Sequence, residues 1–151
     1  MPHTLIIGYG NPLRSDDGFG WHAAMRLREI IRDAGVEILA VHQLTPELME
    51  PLSRVRRVIF IDAAVGDDPG KLTVATLATT GGPAPVFTHF ATPAALLEGA
   101  RSLYGARPEA LLITVVGLDF EIGAELSEPV RLALESLAEE KMREVMAGPP
   151  P

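Results

Sequence analysis

There is no cysteine in the chain. Disulfides, thiolate metal sites and cysteine nucleophiles are therefore excluded. Positive charge is in deficit: Lys and Arg number 13 against 20 Asp and Glu, a formal net charge of −7 with neutral histidines. A nucleic-acid-binding surface carries a basic footprint, and an anionic membrane surface attracts one; this composition provides no such excess. Long apolar runs are missing too, the longest falling far short of the ~20 residues that a membrane helix needs. Residues 1–7 lack the basic start and small-residue cleavage site of a signal peptide. None of the five serines stands in G-x-S-x-G, and no histidine opens an H-E-x-x-H pattern. The chain reads as a soluble, cytoplasmic protein without a familiar covalent nucleophile.

What is present suits a single domain spanning 1–151. Apolar residues make up 47% of the chain, enough for a sizeable core. Residues 4–7 form a short apolar run that reads as a buried strand. After the turn GYGNPLRSDDGFG, residues 8–20, helical spacing places Ala23, Ala24, Leu27, Ile30, Ile31 and Ala34 on one stripe, with Gly35 as the stop. Residues 36–43 alternate as a second strand, with His42 on it. Thr45-Pro46 predicts an N-cap and N1 pair opening a short helix. Residues 58–61, VIFI, are apolar in succession and predict a third strand covered on both faces, ending at Asp62. The link GDDPG that follows is too short for a parallel crossover, so Leu72–Leu77 is expected to run antiparallel to the third strand. Thr92-Pro93 opens a helix over 94–103, residues 111–117 form a fifth strand, and Ser127 caps a last helix from 128 to about 146. The sum is an α/β three-layer sandwich. Its mixed five-stranded sheet is mostly parallel, with strand four antiparallel and helices on both faces.

In such sheets ligands bind outside the carboxyl ends of the strands, where the strand order switches direction. Asp16 and Asp17 follow strand one and Asp62 ends strand three, so a 2-1-3 order would bring them to one crevice. The turn fails as a dinucleotide fingerprint, because Leu13 stands where G-x-G-x-x-G needs its third glycine, and no Lys-Ser/Thr follows to make a P-loop. Two carboxylates at a helix start would also repel a pyrophosphate. Asp16 reads as the N-cap of the helix. Asp17 is either a first-turn acid favoured by the helix dipole or a site residue, and Asp62 either caps a turn or acts in the site. Of the histidines, His3 and His22 read as structural or exposed and His42 as partly buried, whereas His89 lies in the long loop 78–91, available to a site. Two carboxylates and an imidazole would suit a divalent transition metal.

GYGNPLRSDDGFG resembles the signature turn of the hydrogenase maturation proteases, G-x-G-N-x-L-x-x-D-[DE]-x-x-G. The likeness extends along the chain through LTPEL at 44–48, VIFIDA at 58–63, the T-H pair at 88–89 and LSEPV at 126–130. The resemblance implies an endopeptidase that trims the C-terminus of a nickel–iron hydrogenase large-subunit precursor once nickel is inserted, the metal being carried by the precursor. It implies Asp17, Asp62 and His89 as the metal-binding residues, with Asp17 or Asp62 assisting proton transfer, and leaves Asp16 as a helix cap. One stretch departs from the pattern: Gly117-Leu118-Asp119-Phe120 stands where members often carry G-x-Q-P. Two other readings are a non-catalytic, metal-sensing chaperone of hydrogenase assembly and a nucleotide-binding Rossmann-like domain.

Overall fold

The computed structural model describes residues 2–79, 81, 82 and 91–147. Five strands form one sheet in the order β2-β1-β3-β5-β4. They are β1 (Thr4–Tyr9), β2 (Val36–Val41), β3 (Arg57–Ala64), β4 (Leu72–Leu77) and β5 (Glu109–Val116). The first four in that order pair in parallel, and β4 runs antiparallel along β5 at the edge. The expected direction of β4 holds, but β5 lies between it and β3. Among the described residues no helix is long and apolar enough to cross a membrane.

The apolar runs of the central strands explain the layering. Along β1 and β3, Leu5, Ile7, Val58 and Phe60 face one way, into a core closed by Leu48, Met49 and Leu52 and by Leu96, Leu97 and Ala100. The first three lie in or beside α2 (Met49–Leu52), the others on α3 (Pro93–Tyr104). The alternate residues Ile6, Ile59 and Ile61 face the other way. There they meet Phe19, Ala23 and Leu27 of α1 (Phe19–Ile30) and Val130 and Ala133 of α4 (Glu128–Ser136). Both faces are thus buried, as near-continuous apolar strands require.

Several boundaries differ from the sequence reading. Helix α1 stops at Ile30, because Ile31 is extended (φ −83°, ψ 118°). Gly35 therefore does not terminate it. Instead the Gly35 carbonyl accepts from His3 N and Thr4 N, so the chain must already have turned back to the sheet. His42 lies past the end of β2 and is exposed, not partly buried on a strand. Thr92 caps α3 as expected, its hydroxyl accepting from Ala95 N at 3.1 Å. The last helix is broken by a π-helical turn, Leu137–Lys141, before resuming as α5 (Met142–Ala147).

Candidate active site

Strand β1 has β2 on one side and β3 on the other. The chain leaves β1 for β2 and then crosses to β3, so the carboxyl ends of β1 and β3 mark the switch point at which a crevice opens. Beyond Tyr9 the chain turns over this edge and starts α1 back along the sheet. Two glycines permit the close return. A Cβ on Gly20 would run into Ile61 O and Tyr9 O, and Gly10 (φ 146°) would drive a Cβ into Asp17 O. The turn ends in a single 3-10 turn, Ser15–Gly18, that runs into α1.

Asp17 sits in that turn, half-buried. Its Oδ2 accepts from Asn11 N at 2.9 Å, and its other oxygen has no donor among the described residues. Asp62 arrives from the neighbouring strand. It lies inside β3, opposite Thr114 of β5, one residue beyond the last pairing with β1. Its Oδ1 accepts from its neighbour Ala63 N at 2.7 Å, and the Tyr9 hydroxyl is in hydrogen-bonding contact with its carboxylate. Burial pushes the Asp62 pKa above the ordinary carboxylate range, and the charge of Asp17 pushes it further; the Ala63 N–H and Tyr9 oppose the rise without cancelling it. Tyr9 is shifted up as well, first by burial and then by the Asp62 charge and hydrogen bond.

The convergence expected for Asp17 and Asp62 is therefore observed, close enough for the charge of Asp17 to act on the Asp62 carboxyl. Neither takes part in an ion pair with Lys or Arg among the described residues. Two unneutralised carboxylates, one with an oxygen open, are a donor set that fits a divalent cation, whose charge would relieve their repulsion. A third donor does not come from the described residues, in which no three His, Asp or Glu side chains converge on one point. His89 lies outside the described residues. Of the other histidines, His3 and His42 are exposed, and His22 lies in α1 with its ring edge-on to Trp21. Nε2 of His22 is buried without a partner among the described residues, and burial lowers its pKa.

Asp16 requires a correction. It caps nothing: Arg14 and Gly18 hold the N-cap positions of the 3-10 turn and of α1, without a side-chain cap. The Asp16 side chain instead turns inward, fully buried. Its Oδ2 accepts from Leu118 N (2.8 Å), Asp119 N (2.9 Å) and Ser127 Oγ (2.7 Å), and its Oδ1 from Ser127 N (2.8 Å). Burial works to raise its pKa, but the bonds from Asp119, Ser127 and Leu118 together outweigh it and hold the group below the ordinary carboxylate range. Ser127 does stand at the N-cap of α4, yet its hydroxyl serves Asp16 rather than the helix. Sequence reasoning passed over Tyr9 as a site residue. The available signal was its place at the last position of β1, beside the strand that delivers Asp62.

Solved structures share this architecture. The [NiFe] hydrogenase maturation protease HycI from Thermococcus kodakarensis KOD1 matches with a TM-score of 0.77 and 27% identity, over 97% of this chain and 93% of that one. The hydrogenase 2 maturation peptidase from Thaumarchaeota archaeon SCGC_AB-539-E09 matches at 0.73 and 26%, over 97% and 99%. The hydrogenase maturating endopeptidase HybD from E. coli matches at 0.71 and 26%, over 98% and 94%. No family model matches the chain, and no curated sequence matches it significantly.

Proposed function

The chain belongs to the hydrogenase maturation protease family, and from that premise we propose that it is an endopeptidase acting on a nickel–iron hydrogenase large-subunit precursor in the cytoplasm. It removes the C-terminal extension after nickel has been inserted. The observation that carries this reading is the meeting of two carboxylates, Asp17 and Asp62, at the carboxyl edge of the sheet, with no Lys or Arg partner among the described residues. Asp17, Asp62 and, from the loop outside the described residues, His89 engage the nickel, which enters as part of the substrate.

The bound ion would anchor the segment to be cut and polarise the carbonyl or water beside it. The chain's own residues do the rest. The Asn11 N–H orients the Asp17 carboxylate, whose second oxygen would be open to hold the ion. The Ala63 N–H and the Tyr9 hydroxyl orient Asp62. Asp17 or Asp62 assists proton transfer, taking a proton from the attacking water and returning it to the leaving amine.

A mass-spectrometric assay with purified protein tests this. Nickel-loaded precursor should lose a C-terminal peptide, and nickel-free precursor should not. Asp17→Ala, Asp62→Ala and His89→Ala should each slow processing by at least about a hundredfold, the scale of lost alignment of reacting groups, with the fold kept by circular dichroism. Full activity in any one of them removes that residue from the set. Binding of the loaded precursor without cleavage by the wild type would instead support an assembly chaperone.

A further inference from the structure

We infer that Asp16 is a positioning residue for Asp17: its buried carboxylate clamps the turn 10–18 to the loop 117–127 and so fixes where Asp17 stands. This rests on the reading of Asp17 as a nickel-binding residue. Four hydrogen bonds converge on the Asp16 carboxylate, three of them from backbone N–H groups. A carboxylate offers only acceptors, and here it meets only donors.

The clamp sits within a seam of main-chain contacts. Ser15 N donates to Gly123 O (2.8 Å), Asp16 N to Asp119 O (2.9 Å) and Gly123 N to Leu13 O (2.9 Å). Ser15 Oγ donates to Glu121 O at 2.8 Å. Gly117 leaves room for the assembly, since a Cβ there would meet the Phe120 ring and come to 3.2 Å from Asp16 Cβ. The seam holds Ser15 in the left-handed region, at φ 51°, a conformation that non-glycine residues adopt at a cost. Backbone strain of that kind persists only where surroundings over-determine it. The next two residues are Asp16 and Asp17, so the strained turn leads directly into the proposed ligand. Neither Leu118 nor Asp119 lends its side chain to the clamp. The clamp therefore constrains the backbone of this loop while Leu118 remains exposed.

Asp16→Asn tests the inference, because it keeps the shape but turns an N–H2 group toward N–H donors. Ser127→Ala is a milder second variant that removes one donor, the hydroxyl. Two readouts are taken on folded protein: nickel(II) affinity by calorimetry, and hydrogen exchange at the Asn11 amide, which reports the Asn11–Asp17 bond. In Asp16→Asn, nickel affinity should fall about tenfold or more, the usual effect of losing a residue that orients a metal ligand. Asn11 should exchange faster relative to amides in the sheet core. Ser127→Ala should fall between wild type and Asp16→Asn in both. Wild-type values of both readouts in either folded variant would overturn the inference. If Asp16→Asn does not fold, Ser127→Ala decides on the same two readouts. A wild type that neither binds nickel nor processes the precursor sinks the proposed function, and the Asn11 readout then still decides whether Asp16 places Asp17.

Discussion

Tyr9 and Asp62 show how one hydroxyl conditions a half-buried acid. Burial and the Asp17 charge raise the Asp62 pKa, and Tyr9 works against them by hydrogen bonding to the charged form. Tyr9→Phe deletes that bond and leaves the ring. The Asp62 carboxyl should therefore titrate at higher pH in the variant, followed by carbon NMR of its side-chain carboxyl. An unmoved titration would mean that Tyr9 does not act on Asp62 in solution. The two acids could be placed from sequence, since a 2-1-3 strand order alone sends the ends of β1 and β3 to one crevice. The role of Asp16 could not. Its partners, Leu118, Asp119 and Ser127, lie about a hundred residues further on, and the local pattern of an acid before a helix favours a cap.

The elements that follow local rules are the ones that the sequence makes readable. Thr92-Pro93 is an N-cap and N1 pair by residue type, and the Thr92 hydroxyl does accept from Ala95 N. Thr92→Ala should destabilise the protein by ~1 kcal/mol as a lost cap, read from the denaturant midpoint at unchanged slope. An unchanged midpoint would mean that water or another group replaces the cap. Where long-range contacts decide, local rules mislead. Helix α1 has apolar periodicity through Ile31 and Ala34, yet it ends at Ile30 because the Gly35 carbonyl is taken by the first residues of the sheet. Ser127 has the right residue type and position for a cap, but a buried carboxylate takes its hydroxyl. The interruption at Leu137–Lys141 separates the buried Leu137 from the buried Met142, a longer step than the three or four residues that return a regular helix to the same face.

Across the folded protein, Asp16 and Asp62 pull stability in opposite directions with pH. Asp16 has a folded pKa below its unfolded value. Its contribution is complete above the ordinary carboxylate range and is lost as pH falls through the folded pKa. Asp62 has a raised folded pKa, so its contribution is present below the ordinary range and is lost as pH rises through the raised value. Denaturant unfolding of wild type and Asp16→Asn should thus differ most near neutrality and converge in acid. A gap that stays constant from neutral to strongly acidic pH would show that the ionisation of Asp16 is not what stabilises the fold.

The sheet also constrains how the chain can assemble. Even its antiparallel pair, β4 with β5, is not a hairpin, because α3 intervenes between the two strands. Every ladder joins distant stretches, and among the shortest spans are Thr4 with Val36 and Leu77 with Ala110. Among the described residues no strand pairing joins neighbouring stretches of sequence, so loop-closure entropy must be met before these pairings reward it. Folding should consequently be slow for a chain of this length, and an emerging polypeptide cannot complete the crevice until β3 has joined β1. The two carboxylates come within reach of each other only when the chain has committed to its final topology.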